Sequence, residues 1–419
     1  MSLLSTAIFV VHVAFLVQKF SYLLLPYGPA ADIPPGRGPH LGPRADPSNV
    51  SLRLSNKKLT KIYERVDEGK DPLVIKPETV ILNNEGKIFV LSENGSLVTV
   101  VDIQETDQPF ISTAKAIEVA HLGTGRPLSG KFHQDGCLYF VDVIMGLARI
   151  CLDGIMNSER IPHVELLASR VQLDDGSYSP INYADDVDVG PKTGHIYFTD
   201  ASNARSDRDV RTGIYDIMYG SKVEGIRMNL SGRLLRYKPE TGEVDVLITD
   251  LAFANGVAVD KDETYVLCVS TFDRAVFKYH LDGEKAGQVE RLLDQFPGVL
   301  DGIDCSFQTG KCYVAIPSTV SAPLVALMKL PPFLSKLVRT LLLMLPRNAT
   351  PAAEPFGGFA EIDPGASNSP ASIIRVFQDP DGRDIDFITG VTEFGGKVYL
   401  GSLHGNFIGV YDLALIPSF

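Results

Sequence analysis

The amino-acid sequence predicts an all-β protein built as a six-bladed β-propeller, with a hydrophobic N-terminal segment and a helical insertion near residues 331–345. The first observation is the stretch 184–279, where short segments of alternating apolar and polar residues, such as 194–200, are separated by turn sequences. The second is that this pattern recurs in six units at spacings of roughly 40–60 residues, as repeated blades require. A ring of such units forms one domain, because each blade buries its faces against its neighbours.

The units are predicted to begin near Val74 and to run to the C-terminus. Units three and four lie within 184–279. The paired strand segments of the other units are 77–82 with 86–91, 125–132 with 137–142, 300–304 with 311–315, and 390–394 with 397–403.

Composition limits the possible function classes. The chain has 419 residues, 37 glycines and 27 prolines, which suits many tight turns. Its formal net charge is -12, and no basic patch or RNA-binding signature is present, so we expect no nucleic-acid partner. An acidic chain of this kind suits solubility or a site that attracts cations.

The five cysteines leave two interpretations open. Cys305 and Cys312 flank a predicted hairpin turn, and Cys137 and Cys151 fall in one predicted blade. Either pair forms a disulfide in an oxidising compartment, or the thiols pack as small hydrophobic groups. Cys268 is expected to be a buried strand residue, and no pair has the spacing of a zinc site.

The N-terminal region predicts a membrane-anchored, lumenal protein. Residues 3–25 are the most apolar stretch and approach the ~20 residues that span a bilayer. We favour an uncleaved signal-anchor over a signal peptide at 1–25, followed by a linker and lead-in at 26–73 and the propeller at 74–419. This places the propeller in the secretory pathway, in the endoplasmic reticulum or another endomembrane, as a single-pass membrane protein. Sequons for glycosylation lie at Asn49, Asn94, Asn229 and Asn348.

Residues 324–345 break the strand pattern. Apolar residues recur there at helical spacing, with Lys336 and Arg339 between them. One interpretation is a helix packed across the propeller face. The other is a basic amphipathic helix that rests on a membrane surface and caps the entrance of a site.

Oxygen-bearing residues precede or open the innermost strand of several predicted units. These strands converge on the central channel, so ring closure would bring together Glu78, Asp185, Asn255 and Asp301. Carboxylate and amide oxygens are the ligands that calcium prefers. The sequence therefore predicts a central Ca²⁺ that polarises an ester, lactone or phosphoester oxygen and lowers the pKa of a bound water. The alternative is that these side chains bond only the local backbone.

Nucleophile–base pairs are poorly signalled. No G-x-S-x-G elbow occurs, and His133 and His404, which fall within repeats, are expected to be surface or strand residues rather than bases.

Several motifs in fixed order resemble the strictosidine synthase-like family over about 74–413. They include Gly125-Arg126-Pro127-Leu128, ADDVDV with IYFTDAS, GRLLRYKPETGEV, LAFANGVAVDKDE and GVTEFGGKVYLGSL. The resemblance implies a six-bladed propeller, often with an N-terminal anchor, and arylesterase activity in the animal branch. It also implies kinship with calcium-dependent lactonases and phosphotriesterases, whose metal ligands match Glu78, Asp185, Asn255 and Asp301.

Two departures qualify the resemblance. The glutamate that true strictosidine synthase uses as a base is matched by Thr389, and a nearby histidine is matched by Phe387. Thr389 has no carboxylate, so alkaloid synthesis is not expected. The paraoxonase-type histidine pair also has no match, because its first member falls near Leu128. Asp185 stands where relatives usually carry asparagine.

Together these features predict a membrane-anchored, calcium-dependent hydrolase of small esters or lactones. Its metal ligands would be Glu78, Asp185, Asn255 and Asp301, with Asp185 and Asp301 as the catalytic carboxylates. Two alternatives remain at this stage. One is a non-catalytic propeller that binds a partner or a lipid-like ligand, and the other is a condensing synthase.

Overall fold

The computed structural model describes residues 51–54, 59–152, 163–294, 296–320, 322–346, 355–366 and 369–415, and single positions or short stretches of 13–34. Strands, paired mainly in antiparallel fashion, are the predominant regular structure of the described chain, which confirms the all-β prediction. Two strands precede the first predicted unit. They are β1 (Ser51–Arg53) and β2 (Leu59–Glu64).

The next strands form six groups of four, in which consecutive strands pair. Group 1 contains β3 (Val80–Leu82), β4 (Ile88–Leu91), β5 (Ser96–Glu105) and β6 (Ile111–His121). Group 2 contains β7 (Pro127–Phe132), β8 (Cys137–Asp142), β9 (Gly146–Cys151) and β10 (Val164–Ala168). A small hairpin follows, made of β11 (Arg170–Gln172) and β12 (Tyr178–Pro180).

Groups 3 and 4 cover the stretch from which the prediction began. Group 3 contains β13 (Ala184–Val189), β14 (Ile196–Asp200), the inserted helix α1 (Ile217–Arg227), β15 (Gly232–Lys238) and β16 (Glu243–Leu251). Group 4 contains β17 (Ala254–Val259), β18 (Tyr265–Ser270), β19 (Ala275–His280) and β20 (Val289–Leu293).

Group 5 carries the second helical insertion. After the short strand β21 (Gly298–Val299) come β22 (Ile303–Cys305), β23 (Cys312–Ile316), β24 (Ser318–Thr319), α2 (Ala322–Met328), α3 (Pro332–Leu343), β25 (Gly357–Asp363) and β26 (Ser372–Asp379). β21 pairs with β24 outside the group, and β1 adds to the edge of β26. The helix predicted near 331–345 is therefore present as α3.

Group 6 joins the two ends of the chain. It contains β27 (Ile388–Phe394), β28 (Lys397–Ser402), β29 (Phe407–Asp412) and, from the N-terminal side, β2; a 3₁₀ turn follows at Leu413–Leu415. β2 also pairs with β6, so groups 6 and 1 share one eight-stranded sheet. The range 26–73, expected to be linker and lead-in, thus contributes strands to two groups.

The first strands of the six groups follow one another in a closed series. β3 contacts β7, and contacts continue through β13, β17, β22 and β27 back to β3. In the described part of the chain, one buried apolar cluster fills each of the six junctions between neighbouring groups. The apolar core therefore lies between the sheets, and the first strands surround a common axis.

Both cysteine pairs are disulfides. Cys137–Cys151 joins β8 to β9, and Cys305–Cys312 joins β22 to β23, in each case across directly opposed positions. Cys268 is free and buried, as expected. None of the helices in the described residues is long and apolar enough to cross a bilayer, and most of the apolar stretch 3–25 lies outside the described residues.

Lys131 ties three groups together near the axis. Its Nζ lies 2.9 Å from Asp304 Oδ1 and 3.4 Å from Asp188 Oδ1, and both carboxylates are buried. Burial lowers the pKa of Lys131, but the attraction of Asp188 and Asp304 outweighs this and raises it overall. The ammonium group therefore balances two carboxylates that would otherwise repel each other.

We predict that Lys131→Met lowers the free energy of unfolding by about 3 kcal/mol, because two buried carboxylates lose their shared cation. The measurement is urea denaturation with the disulfides intact. The matched control is Lys311→Met, which breaks a partly exposed ion pair with Asp363 and is expected to cost less than about 1 kcal/mol. Equal losses for the two variants would contradict this role of Lys131.

Candidate functional site

Three buried carboxyl groups meet at one end of the axis. Glu78 and Asp301 lie just before the first strands of groups 1 and 5, and Asp185 is the second residue of β13. One carboxylate oxygen of each lies within 4.8 Å of those of the other two. Three residues far apart in sequence are thus brought together by closure of the ring, as the sequence analysis predicted.

The oxygens at this cluster lack protein partners. Glu78 Oε2, Asp185 Oδ1 and Asp301 Oδ1 are buried and accept no hydrogen bond from the protein. A buried carboxylate without a partner is costly. Calcium–oxygen distances are 2.3–2.6 Å, so ligands on opposite sides of one ion are about 5 Å apart. The separation and the lack of partners both fit a hard cation at this position.

Asn255 completes the predicted set. It is the second residue of β17, is buried, and its side chain hydrogen-bonds to Asp301. Its amide oxygen adds a neutral ligand of the kind that calcium accepts.

Burial keeps protons on this cluster in the absence of a cation. Desolvation raises the pKa of Glu78 to about 8, although the positive charge of Arg126 opposes the shift. Desolvation, followed by the negative charge of Glu78, raises the pKa of Asp185 and of Asp301 well above the ordinary range. A divalent cation would replace these protons, because its charge favours the ionised carboxylates.

Close backbone contacts fix Glu78. A Cβ on Gly401 or Gly390 would collide with the Glu78 carbonyl oxygen, so only glycine lets group 6 approach so closely. On the same side, the Gly302 amide donates to the Thr389 carbonyl at 2.9 Å, next to Asp301. Groups 1, 5 and 6 are therefore held against one another where the carboxylates meet.

Three residues beside the site share an unusual backbone conformation. Lys76, Phe253 and Phe387 have positive φ angles of 41°, 68° and 53°. They stand two positions before Glu78, Asn255 and Thr389 in the sequence, respectively. Such angles are strained for side chains of this size and are concentrated at functional sites. The repetition in three groups indicates that the fold imposes this geometry around the axis.

An apolar cluster packs beside the site. This cluster is separate from the six junctions and contains Leu128, Val143, Tyr183, Ala201, Ile217, Phe253 and Leu403, with Phe387 and Phe272 packed against it. The Tyr183 hydroxyl donates to the Ile217 carbonyl at 3.1 Å, which joins Tyr183 to α1. Burial, and then the negative charge of Asp185, raise the pKa of Tyr183, so its hydroxyl stays neutral.

Two residues near the site were missed by the sequence analysis as functional. Arg126 is buried, donates to the carbonyls of Pro127 and Lys76, and interacts electrostatically with Glu78. The His404 ring stacks on Phe387 at 3.9 Å, and its Nδ1 lies 3.2 Å from Asp386 Oδ2. Arg126 could have been singled out from the sequence, because it belongs to the Gly125–Leu128 motif. The stacking of His404 could not, because it depends on tertiary structure.

A second opening lies at the other end of the axis. A cavity of about 350 Å³ there is lined by Lys131, Asp188 and Asp304 and by Phe132, Phe307 and Phe394. Asp186 lies between the two ends. Its carboxylate accepts hydrogen bonds from Ser129 Oγ at 2.5 Å and from the Val257 amide at 2.8 Å. These acidic side chains have protein partners, whereas each of the three clustered carboxylates leaves one buried oxygen without one.

The chain is similar to several known proteins. Residues 185–284 match the family model described as strictosidine synthase. The protein STRICTOSIDINE SYNTHASE-LIKE 10 of Arabidopsis thaliana is 28% identical over 312 residues, which covers 74% of each chain. The adipocyte plasma membrane-associated protein of Gallus gallus is 25% identical over 388 residues, or 87% of this chain and 83% of the relative.

The chain is therefore similar to strictosidine synthase-like proteins over most of its length. Among solved structures, a gluconolactonase from Xanthomonas campestris has a similar fold, with a TM-score of 0.52 and 12% identity over 92% of this chain and 96% of that chain. The sequence matches confirm the resemblance seen in the motifs, and the gluconolactonase shows a similar fold at low identity.

Thr389 lies at the site, although it cannot replace the family's glutamate base. It is fully buried, and its hydroxyl lies 3.4 Å from the Glu78 carbonyl oxygen. A strictosidine synthase-like chain with threonine here has no carboxylate on this side of the axis.

Two of the predicted glycosylation sites can be placed. Asn94 is exposed in the turn between β4 and β5, while Asn229 is half-buried and donates to Asn203 Oδ1 at 3.1 Å. Asn49 and Asn348 lie outside the described residues. Modification at all four remains a prediction.

We predict that the metal-free protein becomes less stable as pH rises. The ordinary pKa of 4.5 for glutamate rises to about 8 at folded Glu78. Between these values the folded protein keeps a proton that the unfolded chain releases, so the free energy of unfolding falls with increasing pH. Thermal unfolding in chelator at pH 5 and pH 8 measures this.

Excess calcium should raise the melting temperature, and more so at pH 8 than at pH 5, because fewer protons compete for the carboxylates. Asp301→Ala should lose most of the calcium-induced shift, because it removes a ligand oxygen together with its charge. The control Asp142→Ala, which removes a buried carboxyl group outside the cluster, should keep it. A calcium shift unaffected by Asp301→Ala would place the ion elsewhere.

Proposed function

We propose that the protein is a calcium-dependent hydrolase of small esters or lactones, built as a six-bladed propeller from the six groups of strands. The observation that carries the proposal is the set of three buried carboxylates that each bring one oxygen within 4.8 Å of the others and each leave one buried oxygen without a protein partner. Such a site can hold one cation in a desolvated setting, where electrostatic effects on a bound substrate are large.

Glu78, Asp185, Asn255 and Asp301 would hold the calcium ion. When bound, the ion supplies Lewis-acid polarisation of a carbonyl oxygen and acidifies water. Asp301 is fixed by its hydrogen bond with Asn255, which keeps its carboxylate at the axis. Asp185 would accept the proton of the attacking water, since its carboxylate lies beside those of Glu78 and Asp301 at the position of the ion.

The apolar cluster beside the site supports a substrate with a hydrophobic part. Tyr183 and Phe253 belong to this cluster and Phe387 packs against it, and together they would exclude water from the reacting bond while contacting an aryl or alkyl group. The similarity of fold to a gluconolactonase is compatible with lactone hydrolysis. The arrangement therefore favours uncharged esters or lactones over highly polar substrates.

The alternatives predict different outcomes. A condensing synthase is disfavoured by Thr389, which has no carboxylate to act as base. A non-catalytic propeller that binds a partner or lipid-like ligand would bind calcium without turnover of any ester.

We place the protein in the secretory pathway, anchored through residues 1–25. The apolar N-terminal sequence, the two disulfides and a relative named for plasma-membrane association support this placement.

We predict that Asp301→Ala reduces hydrolysis of phenyl acetate and of a simple lactone by about 100-fold or more, because the cation site loses a ligand and its charge. Chelator should do the same to the unaltered protein, and added calcium should restore it. The control Asp282→Ala, at an exposed turn, should be unaffected. Activity that persists in chelator and in Asp301→Ala would rule out this function.

We predict that Asp185→Asn separates metal binding from catalysis. The amide oxygen still binds calcium, so the calcium-induced rise in melting temperature should persist. The amide cannot accept a proton, so kcat should fall by about 100-fold with little change in KM. An Asp185→Asn variant with unaltered kcat would show that Asp185 is only a ligand.

A further inference from the structure

Helix α3 is oriented with its polar side towards the protein and its apolar side outwards. Its buried residues are Ser335, Arg339 and Thr340. Phe333, Leu334 and Leu341 are 56%, 40% and 42% exposed, and Leu345 just beyond the helix is 43% exposed. A surface helix of a soluble protein normally buries its apolar side, so this arrangement requires an apolar environment outside the chain.

Polar contacts hold the helix in this orientation. The Arg339 guanidinium donates to the carbonyls of Ile226, Arg227 and Ala31 at 3.0, 2.7 and 2.6 Å. The first two belong to the last turn of α1, whose carbonyls have no partner within their own helix. These hydrogen bonds therefore fix the polar side of α3 towards the protein. A rotation of the helix about its own axis that buried the leucines would break them.

The exposed apolar side lies on the same end of the ring as the carboxylate cluster. Tyr183, in the apolar cluster beside the site, is bonded to Ile217 at the start of α1, and α1 packs against α3. We call the surface formed by Phe333, Leu334, Leu337, Val338, Leu341 and Leu345 the outer face of α3.

The charge around this face is opposite to that of the whole chain. Residues 322–346 contain three basic residues and no acidic one, whereas the chain has a formal net charge of -12. Of the three, Arg339 is buried beneath the helix and Lys336 pairs with Asp32. Lys329, between α2 and α3, is therefore the basic residue of this segment that is exposed. Apolar side chains flanked by basic ones are typical of helices that lie on anionic lipid surfaces. A symmetric contact with a second copy would instead bring like charges together.

The N-terminal chain reaches the same helix. The Ala30 amide donates to Thr340 Oγ1 at 3.2 Å, and Asp32 pairs with Lys336 at 2.8 Å. The apolar sequence 3–25 ends a few residues before this docking point, and its described residues Val13 and Leu16 are themselves exposed. The end of the apolar N-terminal sequence is therefore separated by only a few residues from a segment that is bonded to α3.

We propose that the outer face of α3 lies in the headgroup–acyl boundary of a lipid bilayer, as a membrane contact additional to the N-terminal segment. The bilayer supplies the apolar environment for the leucines and Phe333, and its anionic headgroups interact with the exposed Lys329. The mouth of the carboxylate site then faces the lipid surface.

The absence of tryptophan from the chain allows a direct test. Phe333→Trp places a single fluorophore on the outer face. The matched control, Phe307→Trp, replaces another exposed phenylalanine at the cavity on the opposite end of the axis. The full chain is reconstituted into vesicles of phosphatidylcholine and phosphatidylserine, with and without bromine on the acyl chains.

We expect brominated lipid to reduce the emission of Phe333→Trp by about two-fold or more, as burial at the acyl boundary requires, and to leave Phe307→Trp unchanged. Adding Leu334→Ser and Leu341→Ser to Phe333→Trp should abolish the quenching, while flotation shows that the chain is still on the vesicles. Far-ultraviolet circular dichroism checks the fold of each variant.

Two results would overturn the proposal. In one, Phe333→Trp is quenched by aqueous acrylamide as strongly as Phe307→Trp and not by brominated lipid, which leaves the face in water. In the other, Phe333→Trp is protected from both quenchers in a manner that depends on protein concentration, which assigns the face to a second copy.

Discussion

Three carboxyl groups with unpartnered oxygens occupy a buried position where the strands of this protein converge. Their proximity is imposed by the closed series of first strands, by the return of β2 to group 6, and by the glycines that press against the Glu78 carbonyl. Like charges in a desolvated site repel strongly. The site therefore requires either protons or a cation, and this requirement links the fold to the proposed chemistry.

The two ends of the axis meet this requirement differently. At one end Lys131 supplies a cation from within the chain and balances Asp188 and Asp304. At the other end the positive charge of Arg126 acts on Glu78, but burial still raises the pKa of the cluster. The first arrangement stabilises the junction of three groups, and the second suits a cation that comes from solution.

The sequence predicted the parts that follow from local pattern. Alternating segments and turn residues located the first-strand regions of all six groups, and the position of Asp185 or Asp301 in or just before such a strand indicated which residues face the axis. β2 was not predicted as part of group 6, because its partner β29 lies more than three hundred residues away. Lys131 was not singled out, because only the closed ring brings Asp188 and Asp304 to it. The helical spacing in 331–345 predicted α3, but spacing alone does not show which side of a helix faces outwards.

The central claim is that Glu78, Asp185, Asn255 and Asp301 share one calcium ion. A crystal structure of the protein grown with calcium, with anomalous scattering data, tests this most directly. The account predicts one anomalous peak on the axis, about 2.3–2.6 Å from an oxygen of each of the four side chains. A fully formed site with the four side chains in place and no peak among them, at calcium concentrations that saturate the thermal shift, would contradict it.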